Sequence, residues 1–357
     1  MAIHILRLHE FSQESPDAAS LHFQQAKVDR IHFLPGQFIT LKVEIEGKVY
    51  FRSYSISSAP RLDDVLSITI KRVQGGLVSN FILDNFKAGQ LVEFLAPKGR
   101  FVVENSIKNE RRLILIAGGS GITPIMSILR STLFNEPKSK ISLIYASRNA
   151  EHIIFKEKLT DLQTKFEERL EVAHVLSQES QELPFPYQKG RLNEGLLDDL
   201  LDKIEDNLPK DYFLCGPIEL MEMVKGHLLK RGIDAAAIRQ EKFLATEEDI
   251  ESQIDYSAPS TEVEVWMGEN QYKIKVPPGS TVLRAAIDLG IELPHSCLRG
   301  ICASCMGKLE QGEVNMLNNE TLLDFEVEAG KVLVCQSQPK SEDVVIRMGA
   351  SSSTGAS

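Results

Sequence analysis

Four cysteines limit what the C-terminal part of this chain can fold around. Cys297, Cys302 and Cys305 read C-x4-C-x2-C, and Cys335 follows after a gap of 29 residues. Bridged iron takes soft thiolate ligands, two per metal, and this is a spacing at which four thiolates hold a [2Fe–2S] cluster. Three thiolates within nine residues force the backbone to wrap the metal, and Gly300, Ala303 and Ser304 are small enough to permit it. Zinc more often takes two separated C-x2-C pairs, and only one such pair is present. His295 stands just before the loop, but a Rieske centre needs two histidines, so a structural role is expected for it. A cluster of this kind carries single electrons, so the rest of the chain is expected to hold their source.

The remaining sequence has room for one. A length of 357 residues suggests two or three domains. The 43% apolar and 25% charged content is that of a soluble globular protein. No apolar run approaches the ~20 residues of a membrane helix, and the first residues lack a signal-peptide pattern. The expectation is a cytoplasmic chain with no membrane insertion. Five cysteines, four at ligand spacing, point to metal binding in a reducing compartment rather than to disulfides. Residues 1–243 carry 32 basic and 32 acidic side chains, so the whole net charge of −10 falls in the last third. That excludes the basic footprint of a nucleic-acid binder and is compatible with docking on a basic protein surface.

Local patterning divides the chain. Up to residue 105, runs such as Phe38–Val43 and Leu66–Ile70 alternate with strand period, and turn signals (Pro35-Gly36, Glu46-Gly47, Pro97-Lys98-Gly99) separate them. An antiparallel β-barrel is expected, with one short helix over Leu77–Phe86. Over 106–244, buried-type strands (Leu113–Ala117, Ile141–Tyr145, Leu170–Val175, Tyr212–Cys215) alternate with helical stretches such as Ile125–Phe134 and Glu219–Arg231. This alternation predicts an α/β doubly wound parallel sheet. Residues 245–261 read as an acidic linker, with five acids in 244–261 and no base. Over 262–348 a hairpin (Val263–Trp266, Tyr272–Val276) and a helix (Val282–Leu289) frame the cysteines in a small α+β domain, and 349–357 reads as a disordered tail.

Three further motifs carry chemistry. Arg52-Ser53-Tyr54-Ser55 ends a strand: an arginine fork suits a pyrophosphate, and a tyrosine two residues on shares its face. Gly75-Gly76-Leu77-Val78-Ser79 opens a short helix whose N-terminus favours an anion. Gly118-Gly119-Ser120-Gly121-Ile122-Thr123-Pro124 follows the first buried strand and opens another helix, again a tight glycine turn facing phosphate. It is not the G-x-G-x-x-G fingerprint. Cys215-Gly216-Pro217 ends a later strand. Ser147 and Arg148 end the second parallel strand, where an acid would favour NAD and an arginine would accommodate the 2′-phosphate of NADP.

The cysteine set resembles the plant-type ferredoxins, with their β-grasp fold. That resemblance implies that Cys297 and Cys302 hold the outer iron, and Cys305 and Cys335 the inner one. The other motifs, in this order, resemble the ferredoxin–NADP reductase superfamily, and the resemblance covers essentially the whole chain. It implies FAD rather than FMN, bound by Arg52, Ser53, Tyr54 and Ser55 and by Gly75–Ser79, with Ser55 near the flavin N5. It implies NADPH or NADH on Gly119, Gly121, Thr123 and Pro124, with Cys215, Gly216 and Pro217 beside the nicotinamide and Phe243 covering the flavin. Ser55 and Cys215 are then the catalytic candidates, and Ser147 with Arg148 lean towards NADPH. The domain order is that of reductases serving separate oxygenases of di-iron or Rieske type. The phenylacetyl-CoA epoxidase reductases are the nearest of these, beside those of steroid hydroxylases, aromatic-ring hydroxylases and fatty-acid desaturases. A redox sensor or carrier with a structural flavin would need no nicotinamide site, so the Gly118–Pro124 and Cys215–Pro217 motifs disfavour it.

Overall fold

The computed structural model describes the chain except for residues 1–2, 27–29, 180–183, 185, 242, 244–255, 258–259, 296–297, 299, 301–302, 320, 323 and 350–357. Most of the acidic linker and nearly all of the tail therefore lie outside the described residues. The chain forms two compact units, Ala2–Phe243 and the part from Leu244 onward.

The first unit begins with a six-stranded antiparallel barrel, in the order β4-β3-β6-β1-β2-β5. Its strands are β1 (Ile3–Ser15), β2 (Ala18–Gln24), β3 (Phe38–Ile45), β4 (Lys48–Ser55), β5 (Val65–Lys71) and β6 (Leu91–Lys98), with helix α1 (Leu77–Asn85) between the last two. An isolated bridge from Ile56 to Ile68 ties the end of β4 towards β5. The barrel is held by Leu21, Phe23, Ile39, Leu41, Ile68, Ile70 and Phe94, each fully buried. A side chain of this size contributes roughly 1.5–3 kcal/mol when taken out of water.

The second half of this unit is a parallel sheet. Strand β7 (Arg112–Gly118) leads into helix α2 (Ile122–Asn135), then β8 (Lys140–Ser147), α3 (Lys156–Lys165), β9 (Leu170–Leu176), β10 (Tyr187–Lys189), α4 (Glu194–Leu201), β11 (Lys210–Cys215), α5 (Ile218–Lys230) and β12 (Ile238–Glu241). The order is β10-β9-β8-β7-β11-β12, parallel throughout. Every residue of β7 is buried, because Leu113, Leu115 and Ala117 enter one core and Ile114 and Ile116 the other. A continuous apolar run is what a strand covered on both faces requires. β8 and β11 flank β7, so the strand order reverses there and leaves a crevice at their carboxyl ends, where such sheets bind ligands.

Helix α2 fastens the two halves together. Ser127 Oγ, fully buried, donates to the Ser58 carbonyl at 2.6 Å. Arg130 grips the Asp63 carboxylate with two hydrogen bonds of 2.5 and 2.7 Å. Just beyond its last turn, the wholly buried Glu136 receives Arg111 at 2.7 Å, Ser139 at 2.7 Å, Asn109 at 2.8 Å and Asn105 at 3.0 Å. Among the described residues no helix is long and apolar enough to cross a membrane.

The second unit is built on a mixed five-stranded sheet, β14-β13-β19-β15-β17. A hairpin of β13 (Thr261–Met267) and β14 (Asn270–Val276) precedes helix α6 (Val282–Asp288). Then come β15 (Met306–Gln311), β16 (Val314–Met316), a short helix α7 (Asp324–Glu328), β17 (Lys331–Leu333), β18 (Ser337–Pro339) and β19 (Val345–Met348). β19 runs parallel to β13 and antiparallel to β15, and β16 pairs with β18 apart from the main sheet. Val282, Leu283, Ala285 and Ala286 of α6 pack into one core with Val263, Ile274 and Ile346.

The Glu136 network yields a prediction. Burial opposes ionisation of its carboxyl, but the hydrogen bonds from Arg111, Ser139, Asn105 and Asn109 outweigh burial and hold it below the ordinary 4.5. With its pKa depressed in the folded state, the group contributes stability above about pH 4.5 and loses it as the pH falls through the folded value. Replacing Glu136 by Gln is expected to lower the unfolding free energy of this unit by roughly 3 kcal/mol at pH 7. The gap between variant and wild type should narrow in urea melts run below pH 4.5.

Candidate active site and cluster loop

Strand alternation puts Arg52 and Tyr54 on one face of β4 and Ser53 and Ser55 on the other. Arg52 donates to the Phe51 carbonyl at 2.8 Å, and its guanidinium lies 5.8 Å from the centre of the Tyr50 ring. Tyr54 packs half-buried against the barrel core. The Ser53 hydroxyl meets that of Thr40 at 3.0 Å, and Ser55 is buried at the strand end. Tyr50, which supports Arg52, continues the same two-residue period and escapes a motif that begins at Arg52.

The second glycine motif follows β5. Gly75 has φ +73°, and Gly76 caps α1 in an extended conformation. The Gly76 N–H donates to the Val73 carbonyl at 3.0 Å, and Ser79 Oγ accepts from the Val73 N–H at 3.3 Å. A β-carbon on Gly76 would stand 2.9 Å from both Ser79 Oγ and Val73 Cβ, so only glycine fits. The loop leaves the first-turn N–H groups at Leu77, Val78 and Ser79, which a helix cannot satisfy internally, to face an anion. No acid lies in that turn to oppose one. Val78 anchors the helix in the barrel core while Leu77 faces solvent.

At the head of β7, Gly119–Gly121 form a 3-10 turn that enters α2. Thr123 Oγ1 donates to the Ser120 carbonyl at 2.9 Å, and Pro124 stands in the first helical turn, where a missing N–H costs nothing. A β-carbon on Gly121 would lie 2.0 Å from the Cys215 carbonyl oxygen, and one on Gly118 would lie 2.7 Å from the Pro217 and Leu220 side chains. The glycine turn and the Cys215-Gly216-Pro217 turn are therefore in backbone contact. Cys215 is 1% exposed and sits opposite Glu241 of β12. Burial, then the neighbouring Glu241, pushes its thiol well above the ordinary range, so it remains a neutral S–H. The end of β5 touches the same turn: Lys71 Nζ is 3.4 Å from where a Gly119 β-carbon would be. Phe243 packs half-buried against the parallel-sheet core.

Two residues outside the motifs shape this crevice. Tyr145, fully buried on β8, donates its hydroxyl to the Gly119 carbonyl at 3.0 Å and accepts from the Ile154 N–H at 3.3 Å. Burial pushes its phenol far above the ordinary range and keeps it a donor. One polar-tipped ring in a largely buried strand is the signal available in the sequence. Asp17, in the turn between β1 and β2, pairs with Arg148 at the end of β8 and lies 3.8 Å from Lys71. Burial holds the Lys71 ammonium below its ordinary pKa, with Asp17 offsetting this and Arg148 adding to it. Ser147 is buried beside them.

In the second unit Cys305 and Cys335 are described, and Cys297 and Cys302 lie outside the described residues. Cys305 and Cys335 are 2% and 5% exposed and border one core. The Val334 N–H donates to the Cys305 carbonyl at 3.1 Å. Leu298, Gly300 and Ala303 take left-handed φ values of 58°, 74° and 54°, which curl the loop. A β-carbon on Gly300 would stand 2.6 Å from the Asn318 carbonyl oxygen. The Gln336 side-chain amide, 3% exposed, donates to the Leu298 carbonyl at 2.9 Å and the Cys335 carbonyl at 3.0 Å. His295 Nδ1 donates to the Leu293 carbonyl at 2.8 Å, the structural role expected of it. Soft, buried thiol donors beside a curled loop fit an iron–sulfur cluster, and a glycine-lined helix N-terminus and an arginine fork are each groups that suit a flavin pyrophosphate.

A barrel with an anion-binding helix, a parallel sheet with a dinucleotide turn, and a thiolate loop define a flavin- and nicotinamide-dependent iron–sulfur reductase. The chain matches the oxidoreductase FAD-binding domain over residues 5–103, the oxidoreductase NAD-binding domain over 115–226 and the 2Fe-2S iron-sulfur cluster binding domain over 267–340. It is 31% identical over 351 residues to a component of the 1,2-phenylacetyl-CoA epoxidase of Escherichia coli, covering 97% of this chain and 98% of that one. The ferredoxin reductase component of 3-ketosteroid-9-alpha-monooxygenase from Mycolicibacterium smegmatis is 34% identical over 359 residues, covering 96% and 97%. The crystal structure of phthalate dioxygenase reductase shares the fold, with a TM-score of 0.60 at 23% identity over 97% of this chain and 98% of that one. The chain belongs to the reductase components of multicomponent oxygenases, which move electrons from NAD(P)H through FAD to a [2Fe–2S] cluster.

Two outcomes follow from the geometry. Gly121→Ala is expected to force apart the glycine and Cys215 turns and slow NAD(P)H-driven flavin bleaching at least about a hundredfold, a barrier change of roughly 3 kcal/mol. FAD content should be retained, which stopped-flow absorbance and cofactor release would check. Gln336→Ala removes the tether on the Leu298 carbonyl and should speed chelator-driven loss of the cluster's visible absorbance several-fold, leaving flavin bleaching at the wild-type rate.

Proposed function

We propose that this chain feeds electrons to an oxygenase of the phenylacetyl-CoA epoxidase type, in the cytoplasm, where thiols remain reduced. The near end-to-end match with a component of that enzyme supports the reading. The slightly higher identity to the ketosteroid monooxygenase reductase favours a second one, a steroid hydroxylase as partner. Either reading makes the partner a separate oxygenase, of di-iron or Rieske type.

The backbone contact between Gly121 and Cys215 carries the assignment of roles. It holds the dinucleotide turn against the strand end bearing the thiol, next to the barrel edge. Arg52 and the first turn of α1 bind the flavin pyrophosphate, with Gly75, Gly76 and Ser79 shaping the loop. Tyr54 packs on the flavin ring, Ser55 borders its reactive edge and Phe243 covers it. Gly119, Gly121, Thr123 and Pro124 bind the nicotinamide dinucleotide, whose adenosine end lies by Ser147 and Arg148. Cys215, with Gly216 and Pro217, places a neutral, compact wall beside the nicotinamide and excludes water. Cys297, Cys302, Cys305 and Cys335 hold the iron. The bound groups supply the redox chemistry, splitting a two-electron hydride into single electrons.

Reconstitution tests the partner. The purified reductase is mixed with NADH or NADPH and, in turn, the oxygenase components of phenylacetyl-CoA epoxidase and of ketosteroid 9-alpha-monooxygenase. Coupled product formation is expected with the epoxidase. Product only with the steroid enzyme would replace the first reading by the second, and failure of both nucleotides to bleach the flavin anaerobically would sink the reductase assignment.

A further inference from the structure

Asp17 belongs to the barrel yet acts at the edge of the nicotinamide domain. It occupies the two-residue turn Pro16-Asp17, where Ser15 pairs with Ala18. The next residue, Ala18, is 1% exposed and packs within the core of the parallel-sheet half. The turn is pinned from the other side, because the Arg72 N–H donates to the Asp17 carbonyl at 2.7 Å. Ser15 Oγ donates to one carboxylate oxygen at 3.0 Å. The other oxygen pairs with the Arg148 guanidinium and lies 3.8 Å from Lys71 Nζ. Lys71 in turn reaches the glycine turn at Gly119. One carboxylate, fixed by its own backbone and by Ser15, thus stands between the phosphate-facing turn and the end of β8.

The end of the second parallel strand is where the adenosine ribose of a dinucleotide lies, and an acid there accepts from a free 2′-OH. On this chain β8 ends at Ser147 and Arg148 follows, neither of them an acid. We propose that Asp17 supplies that acid from the barrel, and that by holding Arg148 it selects NADH against NADPH. The 2′-phosphate would have to displace a carboxylate already paired with the arginine and would meet like charge. This inference rests on the reductase reading and reverses the lean towards NADPH that Arg148 alone suggests.

The test compares adenosine 2′,5′-bisphosphate with AMP, which differ only in the 2′-phosphate, by isothermal titration of the holoprotein. NADPH and NADH are compared in parallel by kcat/KM for flavin reduction. Wild type is expected to prefer AMP and NADH by roughly tenfold or more, a difference of about 1.4 kcal/mol. Asp17→Asn should raise bisphosphate affinity at least about tenfold by releasing Arg148, and Arg148→Ala added to it should abolish the gain. Arg148→Ala alone should leave bisphosphate affinity within about twofold of wild type, and this arm decides the matter if Asp17→Asn does not fold. A wild-type preference for the bisphosphate overturns the proposal. So does an Asp17→Asn variant that folds without changing the ratio, or a tenfold loss of bisphosphate affinity in Arg148→Ala. If NADH still bleaches the wild-type flavin in those cases, only this inference fails; if neither nucleotide does, the reductase reading itself fails.

Discussion

Two backbone turns at the head of the parallel sheet approach so closely that neither Gly121 nor Gly118 has room for a β-carbon. Much of the first unit depends on that approach. It fixes where α2 begins, because the 3-10 turn Gly119–Gly121 feeds directly into Ile122. The start of α2 then sets the positions of Ser127 and Arg130, which bond to barrel residues Ser58 and Asp63. It also sets the helix end at Glu136, which gathers Asn105, Asn109 and Arg111 from the segment joining barrel to sheet. A displaced glycine turn would shift a rigid helix and with it the barrel edge. The spacing between a flavin on the barrel and a nicotinamide on the sheet is therefore a consequence of packing, because close-packed interiors transmit such shifts rather than absorb them.

The electrostatics of the crevice follow a division of labour. Two groups buried at the strand ends are neutral: Cys215 is kept protonated by burial, and Tyr145 holds the Gly119 carbonyl with an un-ionised hydroxyl. An ionised side chain in either place would be costly to bury. Just past the end of β8, charges gather in a tight group, Lys71, Asp17 and Arg148. The single carboxylate stands between two cations, with its geometry set by the hairpin turn.

What could be read from the sequence had a local cause. The apolar run Leu113–Ala117 became the middle of β7 because burial on both faces leaves no exposed position in the strand. The predicted helix Leu77–Phe86 appears as Leu77–Asn85, since the glycines before it supply the cap geometry in place. Predicted Ile125–Phe134 begins three residues earlier, at Ile122, because Pro124 is tolerated in a first turn and marks no boundary there. What was not legible depends on distant segments meeting. Asp17 and Arg148 are 131 positions apart. An arginine at a strand end therefore reads as a phosphate ligand, with no sign of the acid that answers it. Glu136 and Gln336 escape for the same reason: their chemistry comes from the partners that the topology brings, not from a motif around them.

The cluster loop shows how an unfavourable backbone is sustained. Leu298 and Ala303 adopt left-handed conformations without being glycine, each at a cost of order 1–3 kcal/mol. The loop offsets part of this by local means: Gln336 holds the Leu298 carbonyl, and Gly300 fits against the Asn318 backbone where a side chain could not. Cys305 and Cys335 border the apolar core. The strained backbone opposes the apo conformation. A bound cluster would offset this cost, because metal–thiolate bonds contribute directly to folding. The second unit is therefore best understood as a fold whose loop conformation is completed by its ligand, while the first unit forms its crevice by packing and by its own hydrogen bonds.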